Sequence, residues 1–263
     1  MSRHDPSARA PRIVVTLAVP DDQAEPELQV RRNDLYVAAL ARHGAVPVRL
    51  DARMPIAVRD DALRSMDGLL LSGGADLDPS RYGQPIDGSR EIEPERDELE
   101  ERAWRAAESR HVPVLGICRG LQAINVFSGG SILQDVEGHA GAGWGTGPPA
   151  THPLRVVPGT RLATHLGPMD TLEVNAYHHQ GIREPDLAPG LRAAAWADSS
   201  AGPLVEGLEG SEERFVIGVQ CHPERTESTP AAFEQLFAAF VSAAQVDVTR
   251  RGRGRRPSGR GTG

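Results

Sequence analysis

At 263 residues the chain can bury a substantial core as one large domain or two small ones, and with 39% hydrophobic and 25% charged residues its composition is ordinary for a globular protein. No apolar run approaches the roughly 20 residues that cross a bilayer, and the polar start MSRHDPSARAPR has no apolar h-region, which argues against a membrane span or secretory signal and for a cytoplasmic location. The net charge of −7 is uneven: the last 18 residues carry six arginines and one aspartate, so the other 245 sum to −12, an acidic body ill suited to nucleic acid as its main ligand.

Residues 1–10 read as a disordered leader. Ile13–Leu17 is a β-branched run fit for a buried strand. Residues 31–43 have helical spacing and stop at Gly44, Val46–Leu50 is the next strand, and a short helix over 58–66 leads to a strand at Leu69–Leu71. An Asp/Pro/Gly loop, 75–94, precedes a helix over 95–110, with Leu99, Ala103 and Ala106 on one face and the pairs Glu98–Arg102 and Glu101–Arg105 on the other. A strand at 112–117 and a helix from Arg119 to Ser128 follow. This alternation implies a doubly wound α/β domain, a flavodoxin-like, mostly parallel sheet with helices on both faces. From 150 to 220, prolines punctuate short strands that extend the sheet with antiparallel hairpins. Phe215–Gln220 is the last strand, and 230–244 is a closing helix with Phe233, Leu236, Phe237 and Phe240 inward. One domain over 11–245 is the economical reading, with 246–263 a disordered Arg/Gly-rich tail. That tail could touch RNA, but no aromatic or RNA-binding motif accompanies it.

All 29 basic residues are arginine, which excludes a P-loop lysine and Schiff-base chemistry. Two cysteines are too few for a disulfide framework. Cys118 lies in Gly116-Ile117-Cys118-Arg119-Gly120 between a strand and a helix. Small neighbours suit a nucleophile on a tight turn, and a helix N-terminus favours thiolate and should lower the thiol pKa. The backbone N–H of Arg119 could donate to an oxyanion. A buried, inert cysteine is the alternative. His222 and Glu224, two apart past the end of a strand, project to the same side, so Glu224 can orient the imidazole; the competing reading is a solvated turn. Ser72-Gly73-Gly74 ends an earlier strand and offers either a second oxyanion donor or an ordinary turn. Among the nine histidines we find no H-x-x-x-H pair and no carboxylate at ligand spacing, so no metal is expected; His139 and His152 read as loop hydrogen-bonders. Cys221 reads as core.

These pieces, in order, resemble the class I glutamine amidotransferase-like family, in particular its γ-glutamyl-γ-aminobutyrate hydrolase branch among peptidases of the γ-glutamyl hydrolase type. The resemblance spans about residues 12–244. It rests on 72–79 (SGGADLDP) with Tyr82-Gly83, on 113–122 (PVLGICRGLQ) with Asn125-Val126, and on 129–135 (GGSILQD), 174–180 (VNAYHHQ) and 218–224 (GVQCHPE). Cys221 stands where the family usually has an aromatic residue. The resemblance implies Cys118 as nucleophile, His222 as general base and acid, Glu224 as its orienting partner, and Gly74 and Arg119 as oxyanion donors. It implies Gln122 as a holder of the γ-glutamyl group and Tyr177, His178 and His179 as pocket lining. It further implies a γ-glutamyl thioester, a place in putrescine catabolism, and no cofactor or metal. A glutaminase feeding ammonia to a separate synthetase is the rival within this chemistry, and a catalytically inactive binding protein the rival outside it. A small γ-glutamyl compound is the expected partner, with a homodimer as the default assembly.

Overall fold

The computed structural model describes residues 9–142, 144–145, 147–211 and 213–254. The apolar runs become β1 (Arg12–Thr16), β2 (Val46–Leu50), β3 (Gly68–Leu71) and β4 (Val114–Ile117), separated by α1 (Pro26–Arg42), α2 (Ile56–Ser65) and α3 (Pro94–Arg110). After α4 (Arg119–Phe127) the chain makes β5 (Ala150–Val156), α5 (Arg161–Leu166), β6 (Thr171–Ala176), β7 (Leu191–Ala197) and β8 (Leu204–Gly210). It then returns through β9 (Val216–Val219) to α6 (Glu234–Gly254). Among the described residues these strands form one nine-stranded sheet, β2-β1-β3-β4-β9-β8-β7-β5-β6. Its first five strands are parallel, and β8, β7, β5 and β6 add to them antiparallel.

Side-chain alternation divides the core between the two faces. Ile13, Val15, Leu70, Leu115, Ile117, Ile217 and Val219 pack with α1, α5 and α6, whereas Val14, Leu69, Leu71, Val114 and Val216 pack with α2, α3 and α4. Phe233, Leu236, Phe237 and Phe240 are buried as expected. No helix among the described residues is long and apolar enough to cross a membrane.

Several boundaries differ from the sequence reading. Helix α1 starts at Pro26, a turn earlier than the apolar spacing suggests, because its buried face there carries polar groups that bond internally. Gln29 donates to Asn33 Oδ1 at 2.8 Å, and Asn33 donates to the Ala18 carbonyl at 3.0 Å. On α3, Glu101–Arg105 pairs at 3.5 Å, but Arg102 reaches Asp60 of α2. Helix α6 continues nine residues beyond Gln245, into the segment read as a disordered tail. Composition there argues against a core, but arginine is a good helix former, and a helix already begun can continue without one. Residues 1–8 of the leader and 255–263 of the tail lie outside the described residues.

Parallel pairing sets the site. Ile117 of β4 lies opposite Val219 of β9, so the residues following both strands, Cys118 and Gln220, emerge side by side at the carboxyl end of the sheet, where α/β folds place ligands.

Candidate active site

Cys118 adopts φ 53° and ψ −108°, a strained conformation for a residue with a Cβ, between strand β4 and helix α4. The flanking glycines are required by contact. A Cβ at Gly116 would lie 2.5 Å from the Gly120 carbonyl oxygen, and one at Gly120 would lie 2.0 Å from that of Leu71. The Cys118 N–H donates to the Val219 carbonyl at 2.8 Å, tying the turn to β9. Gln220 Nε2 donates to the Cys118 sulfur at 3.4 Å, and the Arg119 backbone N–H also faces it.

His222 Nδ1 is 2.7 Å from Glu224 Oε1. That partner assigns the proton to Nδ1 and leaves the Nε2 lone pair for an incoming proton. Asn175 clamps the backbone beneath: its Oδ1 accepts from the His222 N–H at 2.8 Å and its Nδ2 donates to the His222 carbonyl at 3.2 Å. Gly73 joins the two halves. A Cβ there would meet His222 Cε1 at 2.9 Å, the Tyr36 hydroxyl at 2.8 Å and Cys118 Cβ at 3.5 Å. Cys118 and His222 are therefore brought together around one glycine, with Glu224 on the Nδ1 side of the imidazole.

The expectation of a lowered thiol pKa is corrected. Burial pushes the Cys118 thiol up to about 12, outweighing Arg225 and the Arg119 N–H, both of which lower it. Burial and then Arg225 hold His222 below its ordinary value, against the pull of Glu224. Burial raises the Glu224 carboxyl, but the imidazole and its hydrogen bond outweigh that and leave it low. The resting pair is thus a neutral thiol beside a neutral imidazole.

Beneath the elbow lies a buried charge network that the sequence did not announce. Arg119 pairs with Asp97 and Glu100 of α3, and Glu100 also accepts from Arg96 at 3.0 Å and Thr16 at 2.8 Å. Arg96 then donates to the Gly73 carbonyl at 2.9 Å and to Ser72 Oγ at 3.1 Å, so one network holds both the elbow and the Ser72–Gly74 turn. Gly74 must be glycine because Arg96 Nη1 sits 2.1 Å from where a Cβ would project. The Gly73 N–H is already committed to the Tyr36 hydroxyl at 3.1 Å.

A cleft of about 580 Å³ opens above Cys118, bordered by Gly74, Gln122, Tyr177, His179, His222 and Arg225. Gln122 Nε2 donates to Gln220 Oε1 at 3.3 Å. The Tyr177 ring stands edge-on to His222 at 5.5 Å. His179 is held between Asp76 at 3.0 Å and Asp135 at 3.1 Å, pinning the rim. His178 borders the cleft, but its imidazole is engaged elsewhere: Nδ1 faces the Gln180 carbonyl at 2.9 Å and Nε2 faces Glu206 at 3.7 Å. Cys221 is 1% exposed and packs in the core.

Sequence reasoning missed Tyr36, Arg32 and Arg225. Arg225 packs its guanidinium 4.1 Å from the Tyr177 ring centre and pairs its Nε with Glu224 at 3.4 Å, while its Nη1 is buried without a hydrogen-bond partner, as is Arg32 Nε. Both arginines line the cleft. Only the position of Arg225, next to Glu224 in the motif, was a signal. Also missed was Glu206, fully buried and pushed by burial up to about 8, with His139 and His152 beside it.

The peptidase C26 family matches residues 17–224, which include the elbow, the rim and the His222–Glu224 pair. The chain belongs to the peptidase C26 family. Membership places it among the glutamine amidotransferase-like peptidases and supports a hydrolase. Among its relatives is a Mycobacterium tuberculosis protein whose name assigns it, provisionally, to the glutamine amidotransferases. It is 39% identical over 186 residues, 69% of this chain and 57% of that protein, so the chain spans little more than half its length. Protein NtpR of Enterococcus hirae is 34% identical over 78% of this chain and 86% of its own. A γ-glutamyl-γ-aminobutyrate hydrolase of Escherichia coli O157:H7 is 30% identical over 83% of this chain and 88% of its own. The glutaminase domain of Trypanosoma brucei CTP synthase superposes with TM-score 0.59 at 18% identity, covering 89% of this chain and 93% of that one, a likeness of fold.

Proposed function

We propose that the chain hydrolyses the γ-glutamyl amide bond of a small γ-glutamyl amine whose leaving group carries a carboxylate, γ-glutamyl-γ-aminobutyrate being the leading candidate. The observation that carries the hydrolase reading is the strained Cys118 elbow packed through Gly73 against a His222 whose Nδ1 is held by Glu224. In the proposed sequence His222 Nε2 takes the thiol proton as sulfur attacks the γ-carbonyl, general-base catalysis suited to a neutral resting pair. The backbone N–H groups of Gly74 and Arg119 stabilise the oxyanion, each worth about 3 kcal/mol of barrier. The imidazolium then protonates the departing amine, and water, activated by the same imidazole, hydrolyses the γ-glutamyl thioester to glutamate.

Arg32 and Arg225 support the carboxylate-bearing leaving group. Arg225 Nη1 and Arg32 Nε, buried without hydrogen-bond partners in two residues that line the cleft, suit an anion. An E. coli relative is named for a substrate of this class. The glutaminase reading, favoured by the name of the M. tuberculosis relative, uses the same Cys118 chemistry but releases only ammonia.

Product analysis tests both readings: purified protein is offered γ-glutamyl-γ-aminobutyrate and glutamine side by side, with Cys118→Ala as control. Glutamate plus γ-aminobutyrate, lost in the variant while its thermal unfolding is unchanged, is expected. Ammonia from glutamine alone would establish the glutaminase, and no turnover of any γ-glutamyl compound would point to a binding protein.

A further inference from the structure

Three imidazoles and one carboxylate that the proposed reaction does not use converge behind the cleft wall. His139 lies on the loop between α4 and β5, His152 on β5, His178 just past β6, and Glu206 on β8. The ring centres of His139 lie 4.9 Å from His152 and 5.1 Å from His178. Each ring turns Nδ1 to a backbone carbonyl: that of Glu137 at 3.3 Å, of Pro153 at 3.4 Å and of Gln180 at 2.9 Å. A carbonyl only accepts, so all three protons sit on Nδ1 and all three Nε2 atoms present lone pairs. Those Nε2 atoms, and both oxygens of Glu206, are buried without a hydrogen-bond partner.

Proton counting does not resolve this. A protonated Glu206 offers one donor to three imidazole lone pairs, leaving two of them buried and unsatisfied, which is costly. We propose that His139, His152 and His178, through Nε2, and Glu206, through its carboxylate, form a closed four-ligand site for a divalent cation of the zinc class. One dication satisfies all four groups, and the carbonyl-held Nδ1–H groups are the outer contacts that orient histidine ligands. The spacing fits. His152 Nε2 is 3.6 Å and His178 Nε2 3.7 Å from Glu206 oxygens, and the ligand atoms of His139, His152 and Glu206 all lie within 4.8 Å of one another. A tetrahedral ion at about 2.0 Å from each ligand needs separations of roughly 3.3 Å, so His139, His152 and Glu206 close on it by small side-chain shifts, while His178, 3.7 Å from Glu206 but with its ring centre 6.2 Å from that of His152, makes a larger turn to become the fourth ligand.

Four protein ligands leave no open position, so the ion is structural rather than reactive. It would staple the loop carrying His139 to β5 and β8 and fix His178. The Tyr177 and His179 neighbours of His178 line the cleft. This assignment stands whatever the reaction at Cys118.

The test is the metal content of the full chain, purified without chelator and freed of any tag histidines, followed by Co²⁺ uptake after stripping with 1,10-phenanthroline. About one zinc per chain is expected, as is visible Co²⁺ absorption of the tetrahedral type that is displaced by added Zn²⁺. His152→Ala, at the rim of the cluster, and Glu206→Gln should each lower zinc occupancy about tenfold or more, while Cys118→Ala keeps it. Stripping should lower the melting temperature and Zn²⁺ should restore it. Folded protein that neither holds zinc nor takes up Co²⁺, as when water fills the cluster, would overturn the assignment. So would metal retained at wild-type occupancy in both cluster variants, or metal lost with Cys118→Ala.

Discussion

The parallel block, β2-β1-β3-β4-β9, and the antiparallel block, β8-β7-β5-β6, meet at the β9–β8 pairing, and the cleft draws on both. The parallel block supplies Cys118, His222 and the Ser72–Gly74 turn. It holds them by backbone contact, glycines against carbonyls, with buried ion pairs beneath. The antiparallel block ends in Tyr177 and His179, held largely by side chains: a ring edge, an Asp–His–Asp clamp, a histidine cluster. Backbone-held geometry admits no substitution that adds an atom, whereas side-chain-held geometry can adjust. The two halves of the site should therefore fail differently.

The largest expected effect breaks that comparison at a glycine. Gly120→Ala drives a methyl to 2.0 Å from the Leu71 carbonyl oxygen, between β3 and α4 where neither can retreat, and should abolish soluble folded protein and activity together. Gly190→Ala, at φ 83° in the turn before β7 with open space around it, should cost only about 1–2 kcal/mol, the price of a left-handed Cβ. Chemical denaturation of both variants checks the contrast. Comparable losses would show that the elbow is no more constrained than a surface turn.

The same contrast explains what could be read in advance. Cys118 with its two glycines, and His222 with Glu224, sit in contiguous motifs whose spacing reflects local backbone demands, so a linear reading finds them. Tyr36, Arg32, Arg96 and Glu206 reach the site from the faces of separate elements, and the partner that gives each its role is remote in sequence. Glu206 lies 54 residues from His152, beyond any ligand-spacing rule, and only the β8–β7–β5 ladder brings them together. The central parallel strands β1, β3, β4 and β9 were legible because both their faces are buried. Helix α5 was not: its six residues depend on a Thr160 cap, Oγ1 accepting from the Ala163 N–H at 3.1 Å, and on packing against α6.

The charge network beneath the elbow offers an intermediate effect. Arg119→Met removes a buried cation from Asp97 and Glu100 while keeping an unbranched apolar stem in place of the arginine's. Leaving two buried carboxylates short of a partner should cost about 3–5 kcal/mol in urea unfolding. The backbone N–H at 119 survives the substitution, so a folded fraction should keep measurable turnover. Full stability in the variant would show that the network is dispensable to the parallel block.

The smallest effect concerns protonation at the junction of the two blocks. His222, delivered by β9, must be neutral to take the Cys118 proton, and burial and Arg225 lower its pKa below 6.5. For a base the sign is direct. Neutral imidazole persists as pH falls until that lowered pKa is crossed, so the acid limb of kcat/KM should lie below 6.5. In Arg225→Gln a lowering charge is gone while a polar side chain remains over Tyr177, so the limb should move upward, and the rate at mildly acidic pH should drop relative to that at pH 8. KM for a carboxylate-bearing amine should rise in the same variant, since Arg225 lines the cleft and its Nη1 has no hydrogen-bond partner. A limb that stays fixed while KM rises would confine Arg225 to substrate binding, and would show that the imidazole is tuned by burial within the parallel block alone.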